Sequence, residues 1–374
     1  MFFDYIVVGS GLFGSIFAHE MKKDGFKVAV IEKRNHIGGN CFTENIEGVN
    51  VHKYGPHIFH TDNDEIWNYI NQFAKFNNFV NRPKVSFENQ LFSFPINLMT
   101  LYQLWGVRTP AEAKERLEKE KVHFENPNEN LETWILSQVG RDIYEKFIKG
   151  YTTKQWGREP KDLPASIIKR LPIRLTFDDN YFNDKHQGIP IGGYTQIFEK
   201  LLDGIEVLLE TDFLEKKSFY ESVSRKIVYT GKIDELFEYS LGRLEYRSLR
   251  FVSYVMPGDF QGNAVVNYTE EKVAHTRICE HKHFDNPNNS MTVVTHEYPD
   301  SYDDTKIPYY PIGDEKNVNL WKSYRDIASL KENYIFGGRL AEYKYFDMHQ
   351  IIGSALKAVK LERIKNGNET GTGS

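Results

Sequence analysis

Tyr5-Ile6-Val7-Val8-Gly9-Ser10-Gly11-Leu12-Phe13-Gly14 reads as a short buried strand running into a glycine turn. Ser15 to Lys23 continues with apolar residues at helical spacing, and Lys27 to Ile31 is a second apolar run that ends at Glu32. The order is strand, glycine turn, helix, strand, acid. Each part has a physical task in a dinucleotide site. Gly9 permits the tight turn, Gly11 lets backbone approach a pyrophosphate, and Gly14 allows close contact between helix and strand. The helix start directs its free N–H groups at the phosphates, and Glu32 stands about 20 residues on, where a carboxylate binds ribose hydroxyls.

Working outward, the rest of the chain divides by pattern. Asp64 to Phe76 is amphipathic helix, and Lys84 to Phe94 alternates like a hairpin. Pro110 to Lys121 and Asn130 to Lys149 carry helical period, which predicts a helical lobe. Between Arg225 and Tyr310, short β-branched and aromatic runs recur between turn residues, including 226–229, 264–268 and 291–294, which predicts antiparallel sheet. Tyr334-Ile335-Phe336 with Gly337-Gly338-Arg339 predicts a strand ending in a glycine turn, and Met348 to Ile364 a closing helix. Asn366 to Ser374 is polar and predicts a flexible tail.

Bulk properties narrow the function. A chain of 374 residues exceeds one compact core, so two or three lobes around a cleft are expected. The formal charge of -5 offers no nucleic-acid footprint. An anionic ligand must therefore be met by a few local arginines. Cys41 and Cys279 lie far apart and form neither a metal spacing nor a disulfide framework. His57 with His60, and His281 with His283, lack a completing carboxylate or cysteine, so no metal is expected. No signal-peptide pattern or membrane-length apolar run stands in the sequence, so a cytoplasmic protein without membrane insertion is expected.

Arg34-Asn35-His36-Ile37-Gly38-Gly39-Asn40 follows Glu32 directly. A glycine pair just past the acid lets the chain turn back under a long extended ligand, and this stretch resembles FAD-binding proteins of the glutathione-reductase and amine-oxidase type. Further sequence words are more specific. They are 54–61 (YGPHIFHT), 149–157 (KGYTTKQWG), 171–174 (LPIR), 180–182 (NYF), 188–194 (GIPIGGY), 246–248 (YRS), 276–284 (TRICEHKHF), 308–311 (PYYP) and 338–348 (GRLAEYKYFDM). In this order they resemble the prokaryotic UDP-galactopyranose mutases, over nearly the whole chain to about Lys360.

That resemblance implies an α/β fold in which a discontinuous Rossmann-type FAD-binding domain carries a helical lobe and an antiparallel β-sheet lobe. The expected boundaries are 1–78, 189–231 and 334–365 for the FAD domain, and 98–157 for the helical lobe. The sheet lobe takes 79–97, 158–188 and 232–333, with a lid near 160–175 that is expected to swing Arg174 in only when substrate binds, and 366–374 is tail. It implies an isomerase that interconverts UDP-galactopyranose and UDP-galactofuranose for cell-surface glycans, with N5 of reduced FAD as the nucleophile at the anomeric carbon. An external reductant such as NAD(P)H and a homodimer, formed through the helical lobe, go with it.

Residue by residue, the resemblance implies a diphosphate clamp from Arg174 and Arg277, whose planar guanidinium donors suit phosphate oxygens. Tyr181, Tyr310 and Tyr345 would donate phenol protons to the same phosphates, with Tyr309 as competitor for the role of Tyr310. Tyr151 would stack on uracil, Trp156 would lie beside the sugar, and Asn267 would touch uridine. His60 would face flavin and sugar. Because some relatives that use UDP-N-acetylgalactosamine carry Arg there, His60 favours plain UDP-galactose. Cofactor contacts are expected at Gly9, Gly11, Leu12, Phe13, Gly14, Glu32, Lys33, Gly39, Asn40, His57, Ile58, Gly338, Arg339, Tyr345, Asp347 and Met348. Arg247 is open between a substrate contact and a structural role. The alternatives are an FAD-dependent oxidoreductase of amine-oxidase type, a mutase for UDP-N-acetylgalactosamine, and a sensor without catalysis.

Overall fold

The computed structural model describes residues 2–169 and 171–370 of the chain. A five-stranded parallel sheet holds, in spatial order, the strands Tyr334–Phe336, Ser224–Tyr229, Phe3–Val8, Val28–Ile31 and Glu206–Leu208. Alternate residues of Phe3–Val8 face opposite cores. Tyr5 and Val7 pack with the helix Leu12–Lys23 and with Ile352, Ala355 and Val359 of the last helix, while Ile6 packs with Ala29, Phe213 and Tyr229. Burial on both faces explains why these strands read as continuous apolar runs. The run 226–229, grouped by sequence pattern with the antiparallel strands, lies here instead, paired in parallel with Phe3–Val8.

The last helix extends over Met348–Thr370, farther than its apolar pattern predicts. Asn366, at the start of the expected tail, bonds to the Tyr5 hydroxyl and the Arg225 guanidinium, both at 2.9 Å, which anchors the extra turn over the sheet. Residues 371–374 lie outside the described residues.

The second sheet is seven-stranded, in the order Tyr310–Pro311, Tyr246–Pro257, Met291–Ser301, Arg277–Glu280, Val265–Tyr268, Lys84–Phe87 and Gln90–Ser93. It is antiparallel except where Val265–Tyr268 meets Lys84–Phe87 in parallel. Its register matters for function. Asn267 is paired with Arg277, and Arg277 with Glu297, so three polar residues form one row across three strands.

Helices Leu98–Trp105, Pro110–Glu120, Leu131–Ile143 and Gly150–Trp156 build a separate apolar core with Val85, Phe92 and Leu163. Capping boxes at Asn97 and Asn130, and a Thr109 cap with Pro110 in the first turn, fix their starts. The helical pattern over 130–149 is not one continuous α-helix. Gly140 takes a φ of 78°, a Cβ there would also meet Glu120 O at 2.3 Å, and Tyr144–Lys149 winds as a π-helical turn. Gly150 then runs against the sheet, where a Cβ would sit 2.3 Å from Thr269 O. This close passage brings the Tyr151 hydroxyl to Arg277 in that row, and Trp156 stands beside Tyr310.

Candidate active site

One cavity of about 1390 Å³ reaches from the glycine turn to the seven-stranded sheet. Of the sequence-predicted site residues, all but Arg174 line it.

At the Rossmann end, Gly9 has φ 98°, and a Cβ on Gly14 would lie 2.0 Å from Gly9 O. Only glycine satisfies both. The Cβ direction of Gly11, by contrast, meets nothing within 4 Å. The helix Leu12–Lys23 begins there with no side-chain cap, leaving its first N–H groups to a ligand. Glu32 is buried and accepts from Ser10 N at 2.9 Å, Ser10 Oγ at 2.6 Å and Arg34 N at 2.9 Å. It therefore braces the turn as well as closing the cavity. Lys33 points to Asp212 at 2.7 Å, and that hydrogen bond raises its pKa.

Two buried cationic atoms at this end have no partner, Arg34 Nη1 and Arg339 Nε. Arg34 is held by Asn40 Oδ1 at 2.8 Å and lies over Tyr54, and Arg339 lies over Tyr345. Unpaired guanidinium nitrogens, a free helix start and a carboxylate at the second strand suit a ligand with a diphosphate and a ribose, as a flavin dinucleotide has. Cys41 supplies no thiolate, since burial pushes its thiol up to about 12.

At the sheet end, Arg277 donates to Asn267 Oδ1 at 3.2 Å and to the Tyr151 hydroxyl at 3.1 Å, and faces Glu297 at 3.5 Å. Burial works against its charge, but the Glu297 carboxylate outweighs it and holds the guanidinium pKa well above its ordinary value. Burial raises the phenols of Tyr151 and Tyr310, so both remain proton donors at neutral pH. Tyr310 lies between Trp156 and Tyr345, with ring centroids at 6.3 and 5.6 Å. Tyr309 also lines the cavity but packs on Phe251.

Three expectations meet the structure differently. Arg174 is not among the residues that line the cavity, which is compatible with its expected entry only when substrate binds. Its guanidinium bonds to Asn180 O and Asn183 Oδ1 and sits 3.4 Å from Asp178, so here it braces the segment that carries Tyr181 rather than an anion. Arg247 donates to the carbonyls of Gln155 and Lys154, which is the structural role left open for it. The segment expected as a lid does border the cavity, at Pro164, Ser166, Ile167, Ile168 and Leu171.

The structure adds residues that the sequence reading passed over. Glu297, Asn81 and Gln155 line the cavity with buried oxygens that lack partners. No short motif marks Glu297 or Asn81, which strand register and packing bring in, whereas Gln155 stands in the quoted word 149–157 beside Trp156. One trio of acidic and histidine groups, Asp259, Glu280 and His283, clusters away from this cavity. Glu280 there accepts from three backbone N–H groups and Thr292, and Lys282 competes for Asp259, so the trio is a loop anchor.

A family model described as UDP-galactopyranose mutase matches residues 146–345, and one described as an NAD(P)-binding Rossmann-like domain matches residues 7–73. A probable UDP-galactopyranose mutase of Klebsiella pneumoniae is 42% identical over 94% of this chain and 92% of its own. The chain belongs to the UDP-galactopyranose mutase family. Within this family it is also similar to a UDP-galactopyranose mutase of Mycoplasma genitalium, 32% identical over 95% of this chain and 93% of the relative. A dTDP-fucopyranose mutase of Escherichia coli is 38% identical over 97% and 99%. The crystal structure of a reduced UDP-galactopyranose mutase superposes with a TM-score of 0.76 at 14% identity, covering 96% of this chain and 93% of that one, which bears out the fold. The expected family, the α/β fold and the isomerase class of enzyme thus hold. Among the described residues, no helix is long and apolar enough to cross a membrane.

Proposed function

We propose that this chain interconverts UDP-galactopyranose and UDP-galactofuranose and that it holds FAD, used in the reduced state, at its Rossmann end. The observation that carries this reading is the single cavity that joins the glycine turn to the Arg277 cluster. A small-amine oxidoreductase would need no half-buried cation flanked by phenols at the far end of its cavity. When bound in the reduced state, the flavin supplies the nucleophile that the buried Cys41 does not.

The residues of the chain hold the remaining parts. Gly9 to Gly14 and the unpaired nitrogens of Arg34 and Arg339 bind the cofactor, aided by the neighbouring lining residues Leu12, Phe13, Gly39, Asn40, His57, Ile58, Gly338, Asp347 and Met348. Arg277, Tyr310 and Tyr345 hold the negative charge of the departing nucleoside diphosphate, with Tyr181 on the facing segment. Tyr151, Trp156 and Asn267 hold base and sugar. His60 faces the sugar. Aromatic walls exclude water from the reacting carbon.

A second reading, a dTDP-linked 6-deoxy sugar as substrate, is favoured by the Escherichia coli relative, whose likeness covers almost both chains. The proposal carries with it a cytoplasmic site of action, an external reductant such as NAD(P)H, a homodimer and a product destined for surface polysaccharide. The test is anaerobic. The protein is reduced with dithionite, given UDP-galactofuranose or dTDP-fucofuranose, and the products are separated by chromatography. UDP-galactopyranose formed only with reduced protein supports the reading. Turnover of the dTDP-sugar alone moves the substrate to the second reading. No turnover of either, with flavin reduced by an amine, overturns both.

A further inference from the structure

His60 lies on a cavity wall, and its partners come from three separate parts of the chain. It belongs to the short strand Phe59–Thr61, which pairs antiparallel with His186–Gly188. Only 8% of the residue is exposed. Its Nδ1 bonds to the Asp184 carboxylate, just before that partner strand. One ring face is covered by Phe182, with centroids 3.7 Å apart and planes 12° from parallel. His349, at the start of the last helix, closes one side with its ring edge-on at 5.0 Å. Nδ1 and one face are thus engaged by protein, and among the described residues no hydrogen bond claims Nε2. Nearby, Lys185 and His186 both bind Asp64, while the buried Nδ1 of His349 has no hydrogen-bond partner among the described residues and Asp347 lies close to that ring.

The chemistry of an imidazole beside a carboxylate is directional. A carboxylate only accepts, so Nδ1 must carry the proton, and in the neutral ring Nε2 is then a bare acceptor. Free histidine in water prefers the opposite arrangement, with the proton on Nε2. A partner that reverses that preference fixes both tautomer and ring orientation. Conversion of a pyranose to a furanose requires one sugar hydroxyl to give up its proton and another oxygen to take one. An acceptor of fixed direction on the cavity wall can hold such a hydroxyl.

We propose that Asp184 is a positioning residue, holding His60 with its proton on Nδ1 so that Nε2 presents a lone pair to a hydroxyl of the bound sugar. This rests on the mutase reading only for the identity of the hydroxyl. The same segment carries Tyr181 and Phe182 into the cavity and is braced at its other end by Arg174. Asp184 therefore links the orientation of His60 to the placement of that whole wall.

The experiment combines a spectroscopic and a kinetic readout on the flavin-loaded protein. Nitrogen-15 histidine spectra distinguish the two tautomers, and His60→Gln identifies the His60 signals by their loss. We expect the Nδ1–H form in the unaltered protein and in Asp184→Asn, whose amide oxygen still accepts that proton. In Asp184→Ala the signals should move to the Nε2–H form. In the mutase assay, Asp184→Asn should stay within about threefold of the unaltered kcat, while Asp184→Ala falls about 10- to 100-fold with KM changed less than threefold. The Asp184→Ala, His60→Gln double variant should be no slower than the slower single variant. An Nε2–H tautomer in the unaltered protein, or an Nδ1–H tautomer that survives Asp184→Ala, overturns the proposal. Losses that multiply in the double variant overturn it as well. A correct tautomer pattern with no mutase turnover would instead sink the mutase reading and leave the pairing standing.

Discussion

The nucleotide turn takes Gly9, Gly11, Gly14 and Glu32 from one strand-turn-helix-strand unit, whereas the anion cluster at the other end of the cavity takes Tyr151, Asn267, Arg277, Glu297 and Tyr310 from separate elements in two lobes. The first end is shaped mainly by glycine backbone, with Glu32, Arg34 and Arg339 around it, and the second wholly by side chains. The first is stiff, because Gly14 touches Gly9 and Glu32 ties down the turn by three hydrogen bonds. The second is a charge pair of a half-buried Arg277 and a buried Glu297, whose members are useful only while both are present. The difference predicts where substitutions act. Changes at the turn should register in cofactor content, and changes at the cluster in turnover.

Arg277→Ala is expected to have the largest effect. It removes a charged donor at the place where the proposed reaction develops negative charge and leaves Glu297, only 2% exposed, without its cation. A loss of about 10³-fold in kcat/KM is expected, roughly 4 kcal/mol of transition-state stabilisation. Flavin content should stay near that of the unaltered protein. If flavin were lost in step with activity, the two ends would not be separable.

The glycines test the same division from the other side. Gly14→Ala forces a Cβ to within 2.0 Å of a backbone oxygen, so the turn must shift, and both melting temperature and flavin content should fall. Gly11→Ala meets open space. It should leave the melting temperature of the flavin-free protein within about 2 °C while weakening flavin binding about 100-fold, roughly 2.7 kcal/mol. Flavin binding by Gly11→Ala as tight as in the unaltered protein would remove the pyrophosphate from that spot.

These two ends also differ in how far the sequence discloses them. The glycine turn is legible because its geometry is local, and each residue type follows from the backbone shape it must adopt. Arg277 and the tyrosines were found through the order of family words rather than through any pattern in their own neighbourhood. Glu297 was missed because it enters through the register of three strands, and register is not written in any single strand. Asp184 was missed for the same reason, as its pairing with His60 spans the chain. The run 226–229 was grouped with antiparallel strands because β-branched residues mark a strand without marking its direction.

Histidines whose pKa burial depresses should dominate the acid response. Burial pushes His57 and His275 down to about 4 and His281 to about 3, from an ordinary value near 6.5. The unfolded chain therefore binds more protons than the folded one below pH 6.5. Their stabilisation is complete above that pH and is lost as the pH falls toward 4. Each such histidine steepens the decline toward a tenfold change in the unfolding constant per pH unit. Asp234, Asp285 and Glu342, raised by burial, pull the other way at the lower end. Urea midpoints measured from pH 7 to 5 should fall steadily. A flat profile would show that these rings are not buried in their neutral form.

The smallest effect is expected at Arg174, and it sharpens the comparison most. The resemblance pairs Arg174 with Arg277 as a clamp, yet the structure gives its guanidinium to Asn180, Asn183 and Asp178. If that position persists when substrate binds, Arg174→Ala loses only a brace of the segment that bears Tyr181. A fall in kcat/KM of about fivefold, roughly 1 kcal/mol, is then expected, and Arg174→Lys should recover part of it. If Arg174→Ala instead matched the loss seen for Arg277→Ala, the guanidinium would have to leave three partners and cross to the diphosphate during the reaction. In that case the 178–184 segment would move with it, and the tautomer of His60 would be expected to change on substrate binding. Measuring both variants under the same reducing conditions separates a fixed wall from a moving one.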